Sequence, residues 1–378
     1  MLLTKHKSLI ILTIISIPTI LFFFLQIQTT TRTSPQNEST TISHNSCITT
    51  PTPLLSSSQT LPATTLINKD NDKTLSITIV SGGNRTTSDE TTLLIKSILL
   101  NHVGNTQIEL NIATDLYNMN FLIENVFNRI KVYRTQLNVN FKIVNLTRID
   151  EECNELKIPI VHHSGKWGMV KLFLDKVFDT VKRTIFVDTD MVFGTNPDLL
   201  FSEFDKFKEE TLFSWTREPN WESKGPNHVC SCIFLWDMKK TRKVNYLKEF
   251  AIPASIEIFG FDEKTQQISK EKRNGSDQDF LFALNKMKPN FFNELDPSWN
   301  LANCQNFFGV PSRSRSADRT THFMGAIHFN CAGNTYDDWK GWEWVKEYLI
   351  WYRWDWFSRP YENNKDLGKS IIIKHSFY

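Results

Sequence analysis

The stretch Thr184-Ile185-Phe186-Val187-Asp188-Thr189-Asp190-Met191-Val192-Phe193 limits what this chain can fold into more than any other. A short apolar run with Lys182 and Arg183 before it, and Gly194 and Asn196-Pro197 after it, reads as a fully buried strand. It runs into two acids. An ionised Asp is almost never buried without a partner, so the end of this strand needs a cation, a helix N-terminus or solvent. In an extended segment, positions i and i+2 point the same way, so Asp188 and Asp190 can hold one hard divalent ion from one side. The plainer reading is a strand leaving a sheet into a polar loop. Ligands of open α/β sheets collect at the carboxyl ends of strands, and that position brings the functional reading level with the plain one.

The residues around this strand supply a sheet for it. Leu75-Ser76-Ile77-Thr78-Ile79-Val80 alternates and ends in Ser81-Gly82-Gly83-Asn84, before a helical pattern from Thr91 to Asn101. This is a strand, a glycine turn and a helix. Such a turn lets backbone approach a nucleotide closely, or simply makes a tight connection. Ile108 to Ala113 forms a second strand, a helix follows over Met119 to Arg129, and Val139 to Leu146 forms a third strand. Trp167 to Val181 carries apolar residues at helical spacing and feeds the central strand. Strands alternating with helices predict a mostly parallel sheet covered on both faces.

Beyond Pro197, a helix over Asp198 to Phe207 leads to strands Thr211 to Trp215 and Cys230 to Trp236. Ser276 is the natural N-cap of a helix through Leu284, with Asp277 and Asp279 in its first turn, where the helix dipole favours acids. His322 to Asn330 reads as a last strand, and the Trp/Tyr-rich segment Trp339 to Arg359 as helical. His328 near that strand's end has the chemistry to complete a Mn²⁺ site with carboxylates, although a lone His there is more often structural.

The N-terminus predicts a membrane anchor. Lys5, His6 and Lys7 precede an uncharged, mostly Ile, Leu and Phe stretch over residues 8–28. About twenty residues at 1.5 Å rise span a bilayer core of about 30 Å. The positive-inside rule then makes residues 1–7 a cytoplasmic tail. Residues 29–72, rich in Ser, Thr, Pro and Asn, read as a disordered stem, which leaves 73–378 as one luminal domain. A formal net charge of +2 over 378 residues gives no reason to expect nucleic acid. N-x-Ser/Thr acceptors at Asn37, Asn84, Asn145 and Asn274 suit a luminal chain. The sequence holds six cysteines, and it chooses none of their fifteen pairings. Cys230-Ser231-Cys232 lacks zinc or redox spacing, so no metal is read from sulfur and buried apolar cysteines are preferred, with bridges left open.

Several of these stretches together resemble the retaining family 8 glycosyltransferases, above all the xylosyltransferase domain of LARGE-type enzymes, with glucoside xylosyltransferases next. They are Ile79-Val80-Ser81-Gly82-Gly83, the run His163 to Leu172, Val187-Asp188-Thr189-Asp190-Met191-Val192-Phe193, Asp277-Gln278-Asp279, Pro297-Ser298-Trp299-Asn300 and His328-Phe329-Asn330. The resemblance implies a GT-A fold and a Golgi, single-pass type II membrane protein moving a sugar, with xylose first, from a UDP-sugar to a glycan or glycoprotein. It implies Mn²⁺ or another divalent cation on Asp188, Asp190 and His328. Ser81, Gly82, Gly83, Lys171, Asp188, Thr189, Ser231 and Gly333 would then bind the donor, and Asp277, Gln278 and Lys171 would serve catalysis.

The match has departures. Relatives read Asn-Ser/Thr-Gly where this chain has Cys230-Ser231-Cys232, and a Lys that often follows the His has no aligned counterpart. The competing reading is a catalytically inactive, membrane-anchored glycan- or nucleotide-sugar-binding relative. A phosphodiesterase lacks the extra ligands that a two-metal site needs.

Overall fold

Strand β4 (Thr184–Val187) forms where the apolar run predicts it, in the middle of a mixed eight-stranded sheet. The computed structural model describes residues 74–130, 132–162, 164–217, 229–268, 275–302, 325–329, 354 and 369–378. The anchor over 8–28, the stem, His163, Asn274, Asn330, Gly333, three of the cysteines and nearly all of Trp339 to Arg359 lie outside them. Among the described residues no helix is long and apolar enough to cross a membrane.

In chain order the strands are β1 (Thr74–Ser81), β2 (Gln107–Thr114), β3 (Leu137–Ile143), β4, β5 (Met191–Phe193), β6 (Phe213–Arg217) and β7 (Val229–Trp236). They continue with β8 (Phe261–Asp262), β9 (Gln267–Ile268), β10 (Phe292–Glu294), β11 (Leu301–Ala302), β12 (Ala326–His328) and β13 (Ile371–Phe377). The large sheet has the order β10-β6-β7-β4-β1-β2-β3-β13. Pairs from β4 through β1, β2 and β3 to β13 are parallel, whereas β7 is antiparallel to both β4 and β6. A smaller sheet, β11-β12-β5, stands beside it.

Strand alternation divides the interior into two cores. Ile185 and Val187 of β4 and Ile233 and Leu235 of β7 face one core with helix Arg85–Asn101, through Leu94, Ile95 and Ile98. Phe186 and Phe234 face the other, with Met169, Val170, Leu247 and Phe280. Period-two burial on both faces is what a helix-covered sheet demands.

Some expectations needed correction. Asp188, Thr189 and Asp190 do not continue the strand: they form a turn that passes the chain from β4 to β5 and into the small sheet. The predicted helix over Trp167 to Val181 is broken into Gly165–Val170, a 3₁₀ turn Lys171–Phe173 and Leu174–Val177. Helix Arg85–Asn101 begins six residues earlier than its apolar pattern, because Asn84 caps it by accepting from the Thr87 amide at 3.0 Å. Cys230 and Cys232 are not free thiols but a disulfide, while Cys153 is free and buried. Alternation explains the pairing: residues i and i+2 of β7 put both sulfurs on one face.

Candidate active site

The antiparallel β4–β7 pair places the amino end of β7 next to the carboxyl end of β4. Val187 pairs with Ile233, and the Asp188 amide donates to the Cys232 carbonyl at 2.7 Å. On the other flank, β12 lies antiparallel to β5 with His328 opposite Met191, and the Phe329 amide donates to the Asp190 carbonyl at 2.9 Å. The turn is thus held by backbone on two sides. Its carboxylates meet His328 in one cluster: a ligand atom from each of Asp188, Asp190 and His328 lies within 4.8 Å of the others. His328 Nε2 is 3.5 Å from Asp190 Oδ2.

The other face of His328 explains why Nε2 is the nitrogen available. Nδ1 lies 3.2 Å from Asn300 Oδ1, which can only accept, so the proton belongs on Nδ1 and the lone pair on Nε2. Asn300 stands in the Pro297 to Asn300 stretch singled out above, but its task as orienter of the imidazole comes from the structure.

A second group adjoins the first. Lys171 Nζ is 2.8 Å from Asp188 Oδ1 and 3.3 Å from Asp277 Oδ2, at the point where the helix tightens into its 3₁₀ turn. The Ser231 hydroxyl donates to Asp277 Oδ2 at 2.9 Å, and the Ser231 amide donates to Gln278 Oε1 at 3.3 Å. Ser276 caps the Asp277–Met287 helix as expected, and its box partner is Asp279. Capping therefore occupies Asp279 and leaves Asp277 to face Lys171.

The structure adds Glu90. Its Oε2 accepts from the Thr189 hydroxyl at 2.7 Å, which links the turn to helix Arg85–Asn101. The sequence reading began that helix at Thr91, and an acid in its first turns carries no signal of its own. Burial, and after it the neighbouring Asp190 carboxylate, push the Glu90 carboxyl up to about 7. Burial likewise raises Asp188, assisted by Asp190 and opposed by Lys171. Burial also acts on Asp190, but without a cation the His328 ring, protonated on Nε2 as well, outweighs it and holds that carboxyl low; a bound cation would take the place of that Nε2 proton. For Lys171 burial works against the charge, yet Asp188 and Asp277 override it and keep the ammonium protonated. The pattern is one of excess negative charge. Two like charges 4 Å apart repel by about 4 kcal/mol at an effective dielectric near 20. Two carboxylate oxygens with an imidazole nitrogen form a donor set that fits Mn²⁺.

The predicted donor-binding residues are placed unevenly. Ser81 is fully buried and its hydroxyl is 2.7 Å from that of Thr91, so it presents no side chain to a ligand. A Cβ on Gly82 would run into the Trp167 indole, and Gly83 has φ of +100° and donates its amide to Asp115 Oδ2 at 2.8 Å. Both glycines have structural reasons of this kind. Lys171, Asp188, Thr189 and Ser231 do gather at the β4 end.

No protein-family profile matches the chain. By sequence it is similar to xylosyl- and glucuronyltransferase LARGE1 of Gallus gallus, 26% identical over 208 residues, which is 50% of this chain and 26% of that protein. LARGE1 of Danio rerio is 25% identical over 273 residues, 68% of this chain and 33% of the relative. The matches therefore span between a quarter and a third of the length of these curated relatives. By structure, mouse xyloside xylosyltransferase 1 in its apo form aligns with a TM-score of 0.51 and 15% identity, over 68% of this chain and 98% of that one. Galactosyltransferase LgtC with donor and acceptor sugar analogues gives a TM-score of 0.50 and 13% identity, over 73% and 95%. The fold is GT-A-like, and the homologues and structural neighbours are glycosyltransferases.

Proposed function

We propose that this protein is a retaining, Mn²⁺-dependent glycosyltransferase that moves a sugar, xylose before others, from a UDP-sugar to a glycan or glycoprotein acceptor. The observation that carries the reading is the convergence of Asp188, Asp190 and His328 at the β4 carboxyl end, beside Lys171, Asp277 and Gln278. The relatives named as xylosyltransferases support the choice of sugar.

Asp188, Asp190 and His328 would hold the cation. Bound there, Mn²⁺ supplies positive charge that offsets the diphosphate and stabilises the departing UDP. Lys171 contributes a fixed ammonium beside the same acids, one that stays charged when water is excluded. Its effect is largest where negative charge grows on the leaving phosphate. Asp277, 5% exposed and anchored by Ser231 and Lys171, is the carboxylate that faces the transferred sugar. Gln278 is oriented by the Ser231 amide and supplies an amide for sugar hydroxyls. Residues 8–28 would anchor the enzyme as a type II Golgi membrane protein on a stem over 29–72.

The test is UDP release by the purified protein with a panel of UDP-sugars, with and without Mn²⁺. Mn²⁺-dependent release with UDP-xylose, increased by a glycan acceptor, is the expected result. Metal-dependent UDP binding without release from any donor would instead establish the inactive binding relative.

A further inference from the structure

Strand β7 breaks its own alternation at the edge of the site. Ile233 and Leu235 face one core while Phe234 and Trp236 face the other, so strict alternation would send Cys230 and Cys232 with Phe234 and Trp236. Both cysteines instead join Ile233 and Leu235. The pattern slips by one residue between Cys232 and Ile233. Pairing with β6 slips over the same stretch: Trp215 lies opposite Phe234 and Arg217 opposite Val229, two steps along β6 against five along β7. Such a bulge re-aims side chains. Here it turns Ser231 onto the face where Asp277 and Gln278 lie, whereas an unbulged strand would point it into the core of Ile233 and Leu235.

We propose that the Cys230–Cys232 disulfide is a positioning element of this site: it locks the bulge and so keeps Ser231 aimed at Asp277 and Gln278. The bridge encloses Ser231. Its Cα atoms are 5.3 Å apart, against about 6.6 Å for residues i and i+2 of an extended strand, so the segment is held shorter by about 1 Å. Both cysteines are 1% exposed, which keeps the lock inside the core.

Three contacts depend on that length. The Ser231 hydroxyl donates to Asp277 Oδ2 at 2.9 Å, its amide donates to Gln278 Oε1 at 3.3 Å, and the Cys232 carbonyl accepts from the Asp188 amide at 2.7 Å. Misplacement of a group by about 1 Å near the reacting atoms costs on the order of 100-fold in rate. The cation ligands have other supports: Asp190 through the Phe329 amide, and His328 through Asn300. Loss of the bridge therefore falls on turnover before it falls on cation or UDP binding. This kinetic consequence rests on the transferase reading above, whereas the placement of Ser231 does not.

The test is the Cys230→Ala, Cys232→Ala double variant of the full chain. Its turnover should fall by about 100-fold, while Mn²⁺-dependent UDP affinity, read by calorimetry, stays within about threefold of wild type. In a Ser231→Ala background the same double change should lower turnover by less than about tenfold further, because both act through Ser231. An equal loss in both backgrounds makes the bridge merely structural and overturns the proposal, as does wild-type turnover in the double variant or a loss of UDP affinity as large as the loss of turnover. Reduction of wild type with a phosphine removes the bridge without substitution: the phosphine takes oxygen from water, becomes its oxide, and leaves two thiols on β7. Reduced wild type should match the double variant, and oxidised glutathione, which leaves as two glutathione thiols, should restore turnover. Turnover unchanged by complete reduction overturns the proposal. A crystal structure of the double variant reads the placement directly: Ser231 Oγ should lie beyond hydrogen-bond distance of Asp277, and a separation still at 2.9 Å overturns the proposal. That result is independent of activity, so a chain that releases no UDP from any donor loses only the transferase reading.

Discussion

The two ends of β4 hold buried acids in opposite circumstances. At its amino end Asp237, 3% exposed, accepts from the Lys240 amide at 3.0 Å as a helix cap and pairs with Arg183 at 3.1 Å. Thr78 and Thr184 meet hydroxyl to hydroxyl at 2.8 Å nearby. The carboxyl end gathers Asp188, Asp190, Asp277 and Glu90, and among the described residues the cationic side chain at ion-pair distance is Lys171, with His328 beside Asp190. The same sheet thus has a balanced end and an acid-rich end. Balanced charge serves stability, whereas several buried acids crowded around one ammonium mark a candidate ligand site.

The largest effect should come from the acid-rich end. Asp190→Ala is expected to abolish metal-dependent UDP binding, a loss of at least about 100-fold by calorimetry, while the far-ultraviolet circular dichroism stays that of the wild type. Unchanged affinity would erase the contrast between the two ends. Lys171→Ala should lower turnover by about 100-fold or more with a smaller change in donor affinity, as removal of a group that stabilises a growing charge does. Wild-type turnover in that variant would detach Lys171 from the reaction.

Asn300→Leu tests the orientation of His328. It should weaken Mn²⁺ binding by about 10-fold to 100-fold, with rescue by Asn300→Asp, which again offers an acceptor to Nδ1. Equal affinity in all three proteins would mean that the imidazole is fixed by other contacts.

Charge excess also predicts a pH dependence. The Glu90 carboxyl, ordinarily near 4.5, is pushed up to about 7 in the fold, so the folded chain retains a proton that the unfolded chain releases. The associated stability is complete below pH 4.5 and is lost as pH rises through 7. At 1.36 kcal/mol per pKa unit the swing is on the order of 3 kcal/mol. Metal-free wild type should therefore melt at a lower temperature at pH 8 than at pH 5, and Glu90→Gln should reduce that difference without removing it, because burial also pushes Asp188 and Asp175 up to about 6. At the balanced end, Arg183→Ala should cost about 1 kcal/mol or less, because the arginine is partly solvated, and should leave Mn²⁺ affinity unchanged.

The acid-rich end was partly legible in the sequence, whereas Asp237 at the other end and Glu90 were not read from it. The apolar run before Asp188 marked the central strand, and Ser276 before Asp277-Gln278-Asp279 marked a capped helix, because both depend on neighbours in sequence. The resemblance drawn from spaced motifs brought His328 to the acids across a long separation, and the structure agrees with that convergence. The parts left unread depend on contacts distant in sequence or on broken patterns. Strand β13 is a strand because it adds to the edge of β3, Ile371 against Leu137, and its second half is polar. Helix Tyr246–Phe259 contains Pro253 and exposes Ile256, so its pattern does not announce a helix. The disulfide was hidden because alternation brings two sulfurs to one face without saying that they bond.

Anomalous diffraction at the manganese edge, from crystals grown with Mn²⁺ and UDP, tests the central claim most directly. The account predicts one strong peak within bonding distance of Asp188, Asp190 and His328 Nε2. Ordered UDP with no peak there, or a peak held by other side chains, would contradict it.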